Sequence, residues 1–148
     1  MRHVIIAFVV AACTVFAVAA QTLERINPPG LGTPASYSHI VKAGKTLYIA
    51  GQVGAKGNGS IAGDTMAAQL EQVLANLQTA LGSQGANFSH VAKITIFVTS
   101  IAEFRAPEAV KIREKYFGPN RPASTLVQIQ QLANPAFKVE IEAVAVLP

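Results

Sequence analysis

The segment Val139-Glu140-Ile141-Glu142-Ala143-Val144-Ala145-Val146 most narrowly limits what this chain can fold into. Its β-prone residues alternate, which predicts a strand. Val139, Ile141, Ala143 and Ala145 then share one side, and Glu140, Glu142, Val144 and Val146 share the other. Neither side is fully polar. The preceding strand repeats the feature, with Leu126 opposite Val127. A sheet apolar on both faces needs cover on both, and the chain has helices for only one. The second face therefore predicts an oligomer that buries it.

The remaining elements follow from periodicity and punctuation. Tyr37 to Val41 and Thr46 to Gln52, joined by Lys42-Ala43-Gly44-Lys45, read as a hairpin. The glycine-rich Gly54 to Ser60 reads as a loop, without the strand-glycines-helix order of a phosphate cradle. Leu70, Val73, Leu74, Leu77 and Leu81 recur at helical spacing after a cap at Asp64 or Thr65, and the helix stops at Gly82 or Gly85. Gln69, Glu71, Gln72, Asn76 and Gln78 fill its other face. Val91 to Val98 is a strand. Ala106-Pro107-Glu108 opens a second helix that runs to Tyr116-Phe117, with proline and acid both suited to a first turn. Strands Ser124 to Ile129 and Lys138 to Val146 complete a β-β-α-β-α-β-β order, an α+β sheet with both helices on one face.

At the other end, Met1-Arg2-His3 precedes an apolar stretch from Val4 and a small-residue run to Ala20. That is the pattern of a cleavable secretory signal, cut after Ala19 or Ala20. Val10-Ala11-Ala12-Cys13 has the form of a lipoprotein box, but Thr14 to Ala20 is mostly apolar where a polar tether is needed. The expected organisation is signal peptide 1–20, irregular lead-in 21–34 with Pro28-Pro29-Gly30, and domain 35–148. Export to the periplasm or the outside follows, with no membrane association after cleavage. Cys13 is the sole cysteine, so the mature chain has no thiol for a disulfide, a metal or a nucleophile. Losing Arg2 leaves 11 basic residues against 8 acids, a net charge of about +3. These charges are dispersed, and no nucleic-acid partner is expected. His39 and His90 lack neighbouring ligands, so no metal site is expected either.

Several of these pieces resemble the RidA/YjgF family. Gly44-Lys45-Thr46-Leu47-Tyr48-Ile49-Ala50-Gly51-Gln52 is similar to its first hairpin, and Val91 to Val98 to its central strand. Arg121-Pro122-Ala123-Ser124-Thr125 and Val139 to Ala145 are similar to its closing strands. The likeness covers roughly residues 28 to 147. It implies a chorismate-mutase-like fold, a homotrimer whose sheets close a central barrel, and ligand clefts between subunits. It also implies hydrolysis of small imines and enamines, without any cofactor.

Such chemistry needs a cation to hold the substrate carboxylate and a carboxylate to handle water. The resemblance places Glu140 at the family's cleft glutamate, the catalytic candidate. It places Tyr37, Gly51 and Leu126 at the substrate. Where active members carry an arginine after Arg-Pro-Ala, this chain has Ser124, which donates one neutral hydrogen bond in place of two charged ones. Arg121 lies three residues back, on the opposite side of an extended strand, and is the nearest substitute. Two readings follow: a cofactor-free hydrolase of a small imine or related electrophile, or a non-catalytic module binding a small metabolite in the same cleft. A ribonuclease role, attached to some relatives, is disfavoured because an exported protein meets no ribosomes and no acid-base histidine pair is visible.

Overall fold

A computed structural model of the protein describes residues 22–148. The signal segment and Cys13 lie outside the described residues. The elements are β1 (Leu23–Ile26), β2 (Ile40–Ala43), β3 (Thr46–Val53), α1 (Met66–Gly82), β4 (Val91–Val98), α2 (Ile101–Phe104), α3 (Pro107–Phe117), β5 (Ala123–Gln128) and β6 (Val139–Val146). They build one six-stranded sheet in the order β1-β2-β3-β6-β4-β5. β5 runs parallel to β4, and every other pairing is antiparallel. The helices of the β4-to-β5 crossover permit that parallel return.

Helix α1 forms where the leucine stripe requires it. The Thr65 side chain accepts from the Ala68 amide at 3.2 Å and caps the first turn. Leu70, Val73, Leu74, Leu77 and Leu81 are all buried against Leu47, Ile49, Ile141 and Ala143 of the sheet. Burying each such side chain contributes about 1.5–3 kcal/mol, and this shared layer is the core. The α+β class and the placement of the helices on one face match the expectation.

Four details differ from the sequence reading. The lead-in contains strand β1, which pairs with β2 from Leu23↔Ala43 to Ile26↔Ile40. The hairpin's first strand begins at Ile40 rather than Tyr37, since the His39 amide is taken by the Asn27 side chain. A third helix, α2, follows the Ser100 cap, and Phe88–His90 forms a single 3-10 turn. Gln69 and Asn76 are buried, not solvated. Gln69 donates to Gly63 O and Ala136 O and accepts from the Lys138 amide. Asn76 donates to Val53 O and Ala55 O. Helix α1 thus fastens the chain on both sides of the glycine-rich loop, and a Cβ on Gly54 would stand 2.5 Å from that of Gln69.

The opposite sheet face has no helix. Val41, Tyr48, Phe97, Val127, Val144 and Val146 share it by register. Tyr48 is 52% and Val146 47% exposed.

Candidate functional site

The β3–β6 ladder carries an irregularity between Ile49 and Gln52. It brings Gly51 under the side chain of Glu140. A Cβ on Gly51 would lie 1.8 Å from Glu140 Oε1, so only glycine leaves room for the carboxylate there. Gly51 has no positive φ. Space, not backbone freedom, is what it provides. Glu140 is half-buried and forms no ion pair among the described residues. Burial raises its pKa from the ordinary carboxylate value, and the like charge of Glu142 adds to the effect. A carboxylate of raised basicity is what deprotonation of water calls for.

Gly51 also lines a cavity of about 300 Å³ with Tyr37, His39 and Gln52. The Tyr37 ring meets that of His39 edge-on at 5.7 Å. His39 is buried, with Nε2 at 2.7 Å from Gly32 O and Nδ1 facing Gln52 Nε2. His90 closes the 3-10 turn against Asn87. Each imidazole is occupied in its own turn, and the two form no acid-base pair. Among the described residues no group of three histidine, aspartate or glutamate side chains could hold a metal ion.

Ser124 and Leu126 lie elsewhere. They pair with Ile94 and Ile96 and share the helix-side face, whereas Glu140 pairs with Phe97 on the opposite face. Two inter-strand steps, roughly 10 Å, separate β5 from β6. Ser124, Leu126 and Arg121 line a second cavity, of about 440 Å³, between β5 and α3. Arg121 turns back to donate to Gly118 O and Asn120 O at the turn. Within one chain the six candidate residues thus fall into two groups: Gly51 meets Glu140 and shares a cavity with Tyr37, while Arg121, Ser124 and Leu126 line the other cavity.

Three residues of the second cavity escaped the sequence reading: Arg105, Arg113 and Asn120. Arg113 donates to Phe104 O and lies over the Phe104 ring, 4.1 Å from its centroid. Burial lowers its pKa from the ordinary guanidinium value, with Glu114 acting in the opposite sense. Arginine is common on helix surfaces, and no spacing in the sequence set Arg113 apart.

A single six-stranded sheet backed by helices on one face, with Glu140 and Ser124 on opposite faces, defines the class of protein as α+β. The chain belongs to the endoribonuclease L-PSP family, the RidA/YjgF proteins, whose model matches residues 30–147. It is 37% identical over 121 residues to Protein DfrA of Myxococcus xanthus, covering 80% of this chain and 88% of that one. It is 32% identical over 127 residues to a human 2-iminobutanoate/2-iminopropanoate deaminase, covering 85% and 89%. Among solved structures, RidA from an Antarctic Psychrobacter superposes with a TM-score of 0.76 at 25% identity, over 84% of this chain and 99% of that one.

Proposed function

We propose that the protein, exported through its first 20 residues, is a cofactor-free hydrolase of a small imine or enamine. The working cleft is completed between copies of the chain in a homotrimer. The observation that carries this reading is the Glu140 carboxylate, without an ion pair among the described residues, of raised basicity and held over Gly51. The imine-deaminase name of the human relative supports it.

In this reading Glu140 accepts a proton from water as the oxygen attacks the C=N carbon. The nitrogen takes up a proton, giving a carbinolamine. Its collapse expels ammonia and leaves the carbonyl product, so one water is consumed per imine. Tyr37 and the Gly51 backbone frame the substrate from one copy. Ser124, Leu126 and Arg121 face it from the next.

The test is hydrolysis of 2-iminobutanoate by the protein and by Glu140→Gln. The amide keeps the size of the side chain but cannot take the proton, and a general base contributes about 10²–10⁴-fold. Turnover unchanged in Glu140→Gln would overturn the proposal.

A second reading, a non-catalytic module for a small metabolite, draws support from Ser124, which stands where the family resemblance expects arginine. Its mark is a ligand that raises the unfolding temperature while no turnover occurs.

A further inference from the structure

The cavity between β5 and α3 has an unusual charge balance. Arg105, Arg113 and Arg121 all line it, against the single carboxylate of Glu114. None of the three guanidinium groups forms an ion pair among the described residues. Two acids on the helices are engaged by lysines instead, Glu103 by Lys138 at 3.7 Å and Glu71 by Lys115 at 2.6 Å, and Glu108 forms no ion pair among the described residues. The net excess in this one concavity is therefore two positive charges.

Arg113 is the best placed of the three. It is half-buried, its guanidinium carbon lies 4.1 Å from the centroid of the Phe104 ring, and its Nη1 donates to Phe104 O, two contacts that hold the group in place. Glu114 offsets part of its charge without forming an ion pair with it, and a partly desolvated cation gains more from an incoming anion than a solvated one does. Being fixed beforehand, it loses little freedom on binding. The floor of the cavity is apolar, formed by Ile94, Ile96, Phe117 and Leu126.

We propose that this cavity is a binding site for a small organic anion with two negative charges on an apolar body, held by Arg113 and Arg105. Ser124 donates a hydrogen bond to the same anion, and Arg121 closes the outer rim. A planar dicarboxylate and a phosphate monoester both meet this chemistry, since the guanidinium fork pairs with either. The inference rests on the reading above only in placing Ser124 at the substrate.

Calorimetric titration of the purified protein at fixed ionic strength tests it, with phenyl phosphate, phthalate, benzoate and benzamide as probes. At least one dianion is expected to bind tenfold or more tightly than benzoate, with benzamide weaker still. Whichever dianion binds more tightly identifies a tetrahedral or a planar head. Arg113→Gln should weaken the dianion at least tenfold and Arg105→Gln about fivefold, while Arg25→Gln on β1 changes nothing. If Arg113→Gln does not fold, Arg105→Gln carries the test. Hydrolysis of 2-iminobutanoate is followed on the same samples, and dianion binding by a protein without turnover separates this site from the hydrolytic proposal. Dianions no tighter than benzoate, or a loss in Arg25→Gln equal to that in Arg105→Gln, would overturn the assignment.

Discussion

Glu140 sits in space that a single methyl group on Gly51 would occupy: Oε1 lies 1.8 Å from where that Cβ would be. The two residues belong to adjacent strands, β3 and β6, and the ladder irregularity between Ile49 and Gln52 brings them together. Gly51→Ala should therefore push the carboxylate out of its seat rather than disrupt the sheet, because the clashing atoms end a flexible side chain. The expected cost is about 1–3 kcal/mol. In a Glu140→Ala background the same substitution should cost nothing, leaving a coupling energy of about 1 kcal/mol or more in a double-mutant cycle by urea unfolding. Additive effects would mean that Gly51 serves some other purpose. Turnover in Gly51→Ala should fall with the displaced base.

Proton linkage gives a second check. Burial and then Glu142 raise the Glu140 pKa above its unfolded value. Its contribution to stability is thus fully present below the unfolded pKa and is lost as pH rises through the folded one. Glu71 acts in the opposite sense. Its hydrogen bond from Lys115 lowers its pKa, so its smaller, largely solvated contribution is present above the unfolded pKa and lost as pH falls through the folded one. Comparing urea midpoints of the protein and Glu140→Gln from about pH 4 to about pH 8 isolates the first effect. The advantage of Glu140→Gln should grow with pH. Turnover should climb over the same range, as the base ionises.

Gln69 predicts the largest loss of stability. It is fully buried and satisfies three backbone groups: the Gly63 carbonyl just before α1, and the Ala136 carbonyl and Lys138 amide just before β6. Gln69→Leu preserves most of the volume but strands Gly63 O, Ala136 O and the Lys138 amide. A buried polar group without a partner costs about 1–3 kcal/mol, so a total near 3 kcal/mol is expected in chemical denaturation. Gln69→Glu should be no better, since its carboxylate would face two carbonyl oxygens.

Ser124→Arg asks whether the β5 position alone limits turnover of a carboxylate-bearing imine. Replacing one neutral donor by a bidentate charged one should raise kcat/KM for 2-iminobutanoate about tenfold or more. No gain would show that anion recognition already lies with other residues of the cavity.

What could be read from the sequence tracks how much each segment buries. The leucine stripe of α1 and the alternation of β4 and β6 were legible because their apolar positions are the core itself. Strand β1 was not, since Leu23, Glu24 and Arg25 are all exposed and the strand is held by its ladder to β2, the Glu24–Lys42 pair and Ile26 against the core. Helix α2, with four residues, is too short to show a period. Gln69 and Asn76 looked solvated because polarity does not reveal a backbone partner dozens of residues away. For the site, the family resemblance pointed to Glu140, Gly51 and Ser124. That they fall on opposite faces of one sheet depends on register, which no single strand specifies. Arg113 depended on a contact with Phe104, a relation of two helices with no local mark.

The uncovered sheet face makes the last prediction. Tyr48 lies on β3 opposite Val144, beside Val41, and more than half of its surface is exposed. Val127 and Val146 extend the apolar area along β5 and β6. In the proposed trimer this surface is buried between copies, where Tyr48 gives up water for apolar neighbours. Tyr48→Asp would place a charge in that interface, with Glu142 as its nearest acid on the same face. Sedimentation should find three chains per particle for the protein and a shift toward single chains for Tyr48→Asp. Since Glu140 and Ser124 would then no longer share a cleft, turnover should fall together with the mass, although neither residue has been touched. A trimer of unchanged mass in Tyr48→Asp would show that the face is covered some other way. A monomer of full activity would show that one chain suffices for catalysis, against the separation of Glu140 and Ser124 across the sheet.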